Sequence, residues 1–238
     1  MKFQNMVLTL VAGMTTLTFS MPAKATTLID FENGFVDLQS VSTVVTADNQ
    51  ITFSVGSGNA GGSSPAFIAE VGGNTTAFQP NDGAGTPLEP LIGNFILTDD
   101  FSPTSVLGLN YFIEFENPVS RLSLDLLDYG DIPSTGQTAT LTAFSDTFLT
   151  PIDSDVFTVT NAPIDANLGN LLVTPSNGLI QSASVVFSRN VRILDPGTAI
   201  DNIRFDTVPT ENVPEPSSLL GLLAVLGFGV VFRPKKAW

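Results

Sequence analysis

Through most of this chain apolar residues recur every second position, and no stretch of the body keeps a 3.6-residue apolar period for the length of a helix. Leu122, Leu124 and Leu126 fall on one side of an extended backbone, with Arg121, Ser123 and Asp125 on the other. Ala139, Leu141 and Ala143 alternate with threonines, and Ile29 and Phe31 alternate with Asp30 and Glu32. That is the period of a half-buried strand. Further strand runs are read at Ser40–Thr46 and Ile51–Val55, joined as a hairpin through Ala47-Asp48-Asn49. Others are Ala66–Val71, Phe95–Leu97, Tyr111–Glu116 (ending at Asn117-Pro118), Asp155–Thr160, Leu171–Thr174, Leu179–Phe187 and Ile200–Asp206. Strands spaced about 8–12 residues apart with turn residues between them predict an all-β sandwich or barrel. Roughly ten of them favour an antiparallel β-sandwich of jelly-roll type. Gly56–Pro90, rich in Gly, Ser and Asn, interrupts the pattern as a long loop. The absence of an internal repeat disfavours a propeller or solenoid.

The two ends read as addresses. Lys2, the apolar run Met6–Phe19 and the small-x-small pattern Ala23-Lys24-Ala25 predict a signal peptide over residues 1–25, cleaved after Ala25 with Ala23 as the other recognition residue. A β-domain over 26–207 follows, then a Pro-punctuated linker over 208–216. Residues 217–238 form an apolar segment, Leu219 to Phe232, with a basic end. About 20 apolar residues span a bilayer core, so this helix is short, and its glycines are tolerated in a membrane. Arg233, Lys235 and Lys236 would act as a membrane-stop cluster on the cytoplasmic side.

Composition removes several function classes. There is no Cys and no His. Disulfides, thiol chemistry and His-based triads are therefore excluded, and stability rests on packing or bound ions. The net charge is −14, and the body retains only Arg121, Arg189, Arg192 and Arg204 as cations. Such a surface repels nucleic acid and is compatible with solubility, divalent cations or neutral glycans.

The motif Val213-Pro214-Glu215-Pro216, the apolar segment and the Arg/Lys end occur in the order of the PEP-CTERM sorting signal, which this tail resembles. The resemblance covers Val213 to Trp238. It implies a bacterial protein that is handed to an exosortase, cut at the tail after a transient stay in the inner membrane, and left at the cell surface or outside the cell. It also implies a setting rich in exopolysaccharide. A permanent tail anchor is the alternative.

Within the body, Asp30, Glu32 and Asp201 stand near the two ends of the β-domain. First and last strands side by side would let these carboxylates, with backbone carbonyls, hold a structural Ca²⁺. Asp201 shares strand parity with Ile203 and Phe205, so it would have to sit at the strand entrance. Asp125, Asp128 and Asp131 lack the spacing of a calcium loop. The pairs Asp99-Asp100 and Asp153/Asp155 supply two carboxylates of the kind a glycosidase uses. Tyr111 and Tyr129 are the body's only aromatics besides Phe, a thin basis for stacking on sugars. The expectation is a non-enzymatic surface or matrix protein with a structural or adhesive role beside exopolysaccharide. A Ca-dependent glycan-binding module comes second and a carboxylate-based glycoside hydrolase third.

Overall fold

The computed structural model describes residues 25–57, 61–71, 93–98, 110–127, 137–159, 168–188 and 199–208. Within them the chain is all-β, as the alternation predicts. The strands are β1 (Thr26–Ile29), β2 (Ser40–Val41), β3 (Thr43–Val45), β4 (Gln50–Gly56), β5 (Ala66–Glu70) and β6 (Phe95–Thr98), followed by β7 (Asn110–Leu127), β8 (Thr138–Phe144), β9 (Pro151–Thr158), β10 (Leu168–Val173), β11 (Ile180–Ser188) and β12 (Ala199–Thr207). The segments that the sequence suggests as signal peptide, linker and tail lie almost wholly outside the described residues.

The long strand β7 organises the rest. Its first half pairs with β4 on one edge and β11 on the other. Its second half pairs with β12 and β10. Around the first half the order is β3-β4-β7-β11-β8-β9, and around the second it is β2-β5-β6-β12-β7-β10, with β1 also on β12. Every pairing is antiparallel. One face of each set contributes to a single apolar cluster: Phe53, Ile113 and Leu141 from the first, Leu124, Ile200 and Phe205 from the second. Two sheets packed over one core are a β-sandwich.

Asn117-Pro118 predicts a strand end, yet β7 runs through both residues. The ladders skip Glu116 to Pro118, because there the strand leaves one sheet for the other. Pro118, which has no N–H, costs nothing where no partner needs one. The Asn49 side chain substitutes for a strand at this crossing. It donates Nδ2–H to the Asn117 carbonyl at 2.7 Å and accepts the Asn117 N–H on Oδ1 at 2.9 Å, while 96% buried. Asn49→Ala is expected to cost about 1–3 kcal/mol, because it removes two hydrogen bonds made by a buried side chain, each worth about 0.5–1.5 kcal/mol. Urea denaturation of the variant checks this, with a shifted midpoint and an unchanged slope as the expected result.

A second crossing lies near β2 and β3. The predicted hairpin forms between β3 and β4, with Thr46 N–H bonded to the Asn49 carbonyl. The residues just before it, Ser40 and Val41, pair with β5 in the other sheet. The edge strands β9 and β10 meet side by side. Asp153 and Asp155 lie on the core-side face of β9, opposite Ala143 and Leu141. Each takes the N–H of its own following residue on Oδ1 (Ser154 and Val156, both 2.9 Å). Each takes an N–H from β10 or the residue after it on Oδ2: Thr174 at 2.7 Å for Asp153, Leu172 at 2.9 Å for Asp155. All four carboxylate oxygens of this pair are therefore structural acceptors.

Candidate functional site

The residues with unusual electrostatics meet where β1, β6, β7 and β12 adjoin. β1 lies antiparallel to β12, from Thr26 opposite Asp206 to Ile29 opposite Ile203. β6 pairs with the same edge of β12 further back, at Ala199 and Ile200. After Ile29 the chain bends. Phe31 takes a positive φ of 56° and buries its ring against Phe35 and Phe53, at centroid distances of 5.6 and 6.2 Å. This bend sends Glu32 toward β6, where Oε1 accepts the N–H groups of Asn94 (2.8 Å) and Phe95 (2.9 Å). Gly93 makes room for that carboxylate. A Cβ there would lie 2.1 Å from Glu32 Oε1, and the residue's φ of +64° also disfavours any side chain. Asp30 accepts the Glu32 N–H on Oδ1 at 3.3 Å.

Asp201 does not sit where simple parity would put it. Between Asp201, opposite Asp125, and Arg204, opposite Ser123, β12 carries one residue more than β7. The extra residue is accommodated by a β-bulge with Asn202 at a φ of +49°. The bulge reverses the phase, so Ile203 and Phe205 enter the main core while Asp201 shares the opposite face with Asp125. The expectation that Asp201 must stand at the strand entrance is corrected on this point. A few residues of that face form an apolar cluster of their own, Ala69, Ile96, Leu127 and Ala199. Asp201 is 1% exposed beside them.

The acids at this junction differ sharply. Asp125 is compensated: Oδ1 accepts Asn170 Nδ2–H at 2.7 Å, and Oδ2 faces Arg204 Nη1 at 3.5 Å. That guanidinium also donates to the Asn202 carbonyl at 3.1 Å. Asp201 receives the backbone N–H of Asn202, but its Oδ1 is buried with no hydrogen-bond partner. Burial pushes its carboxyl up to about 9, and the negative charges of Glu32, Asp125 and Asp30 push the same way against the Asn202 hydrogen bond. The structure thus brings Asp30, Glu32 and Asp201 into one electrostatic neighbourhood. It adds Asp125 and Asn170, which strand pairing across the sheet supplies. Among the described residues, no three His, Cys, Asp or Glu side chains converge closely enough to hold a metal ion by themselves.

The other candidates fall elsewhere. Ala25 is exposed just before β1, and Ala23 lies outside the described residues. So do Val213, Pro214, Glu215, Pro216, Arg233, Lys235, Lys236, Asp99, Asp100, Asp128, Tyr129 and Asp131. Tyr111 is 1% exposed in the core, with Phe187 against its ring at 5.9 Å, so it offers no face to a sugar. The exposed large apolar side chains among the described residues are leucines and valines.

Residues 212–236 match the PEP-CTERM protein-sorting motif. That motif marks an exported protein, sorted to the cell surface and processed by an exosortase. No curated protein matches the sequence. Among solved structures, the chain is similar to the K2 cleaved adhesin domain of Lys-gingipain, at 10% identity over 76% of this chain and 99% of that one, with a TM-score of 0.45. It is also similar to the family 11 carbohydrate-binding module from Clostridium thermocellum, at 10% identity over 77% and 96%, with a TM-score of 0.28. A third is a glycoside hydrolase family 43 arabinoxylan arabinofuranohydrolase from Bacillus subtilis, at 9% identity over 73% and 28%, with a TM-score of 0.34.

Proposed function

We propose that this chain is an exosortase-processed surface or matrix protein whose jelly-roll β-sandwich has a structural or adhesive role beside exopolysaccharide. The observation that carries this reading is the sorting motif at residues 212–236, placed behind an all-β body. In this reading residues 1–25 direct export and are removed. The segment 217–238 holds the chain briefly in the inner membrane, with Arg233, Lys235 and Lys236 on the cytoplasmic side. Val213-Pro214-Glu215-Pro216 presents an extended, proline-stiffened peptide to the exosortase. The released body is strongly acidic, which keeps it dispersed and away from nucleic acid and anionic headgroups.

Two features of the body favour a structural role over a catalytic or sugar-stacking one. The Asp153/Asp155 pair holds backbone N–H groups through all four of its oxygens. The ring of Tyr111 is enclosed by the core. Fractionation of the native host tests the reading. The wild-type chain is expected at the cell surface or in the medium in a form that mass spectrometry shows to lack residues 219–238. Replacing Pro214, Glu215 and Pro216 together by alanine is expected to leave full-length chain in the inner membrane and to abolish the surface form. A wild type found only uncut in the membrane, or a triple variant released normally, would overturn it.

A further inference from the structure

The junction of β1, β6, β7 and β12 holds more negative charge than its protein partners compensate. Asp201 Oδ1 is enclosed and unpartnered. A buried carboxylate oxygen in that state costs free energy unless a cation or a donor reaches it. Arg204, the cation of β12 among the described residues, is directed to Asp125 Oδ2 and to the Asn202 carbonyl. Glu32 carries both of its backbone N–H bonds on Oε1. Asp125 stands opposite Asp201 in the β7–β12 ladder, and Glu32 is bonded to the start of β6, which pairs with β12 at Ala199 and Ile200.

We propose that this junction is a binding site for one divalent cation of the calcium class, with Asp201 as its central ligand and Glu32, Asp30 and Asp125 as the acids around it. The donors present are oxygens, and the chain has no Cys or His to attract zinc or copper. Three carboxylates do not converge as they stand, so side chains supply only part of the shell. Ca²⁺ tolerates such a site, because six to eight oxygens from carboxylates, backbone carbonyls and water serve it without strict geometry. Mg²⁺ demands a near-regular octahedron and keeps its waters. A cation here would tie the chain following β1 and the start of β6 to the two central strands.

The test uses the full-length chain in detergent, stripped with chelator and titrated with CaCl₂ or MgCl₂ by calorimetry, with thermal unfolding in parallel. Saturable uptake of one Ca²⁺ per chain is expected, with a melting temperature that rises with CaCl₂ and responds far less to MgCl₂. Asp201→Asn should weaken Ca²⁺ affinity by roughly tenfold or more, since ligand charge sets affinity in such sites. Glu32→Gln is the second variant. It keeps an oxygen for the Asn94 and Phe95 N–H groups while removing charge, and a clear loss of affinity is expected there too. Circular dichroism confirms that each variant is folded. Absence of saturable Ca²⁺ uptake by the wild type overturns the proposal, and so does wild-type affinity in both variants.

Discussion

Phe115→Ala is expected to lower the free energy of unfolding by about 3–5 kcal/mol, the range for removing a buried aromatic from a packed core. Phe115 is the last residue of β7 paired with β4 before the strand changes sheets. Its ring packs against Phe205 of β12 at a centroid distance of 5.4 Å, joining one sheet to the other where the backbone itself crosses. Both rings are about 1% exposed or less. The cavity would open between two sheets held on several sides, so it cannot collapse cheaply. Val45→Thr is the control. Val45 is 71% exposed on β3, and its replacement is expected to stay within about 0.5 kcal/mol. Urea denaturation of both variants measures the difference, and a cost below about 1.5 kcal/mol for Phe115→Ala would show that the two sheets close over the gap.

Asp201→Asn has the opposite expected sign. In excess chelator it should stabilise the protein at neutral pH by about 1–3 kcal/mol, because a neutral amide folds without the proton uptake that the buried carboxyl requires. The carboxyl is raised from the ordinary 3.8 to about 9, chiefly by burial, so the folded chain favours the neutral acid while the unfolded chain ionises normally. The contribution of this group to stability is full below pH 3.8 and is lost as pH rises toward 9. Wild type and variant should therefore unfold alike near pH 4, and the variant should pull ahead through pH 6 and 8. Parallel pH profiles would sink the expectation. CaCl₂ should narrow this gap, because the wild type binds the ion more tightly and gains more stability from it.

The strands were legible because each buries one face, and alternation is the direct trace of that burial. Ala139, Leu141 and Ala143 point inward as their spacing says, and so do Leu122, Leu124 and Leu126. Two features were not legible, each for a local reason. Pro118 reads as a strand end because it lacks a donor, and only the tertiary pairing shows that no donor is needed there. Asp201 reads as inward by parity with Ile203 and Phe205, and one extra residue at Asn202 undoes the count. An Asn inside a strand is a faint signal for such a bulge, since Asn adopts positive φ more readily than most residues. Strand pairing across β7 places Asp125 beside Asp201, over a separation in sequence that no local pattern spans. Asp30 and Glu32 reach this neighbourhood because β1, which they follow, lies on β12.

The two aspartates that stitch β9 to β10 bear on how such a chain survives its journey. A bare sheet rim is a template onto which another copy can lay a strand. Here the N–H groups of Leu172 and Thr174 are occupied by carboxylates of the same molecule. The groups that close this rim also carry negative charge, so a copy approaching it meets repulsion as well as a lack of open donors. This seam therefore offers a second copy no open donor at Leu172 or Thr174, and it does so without a disulfide.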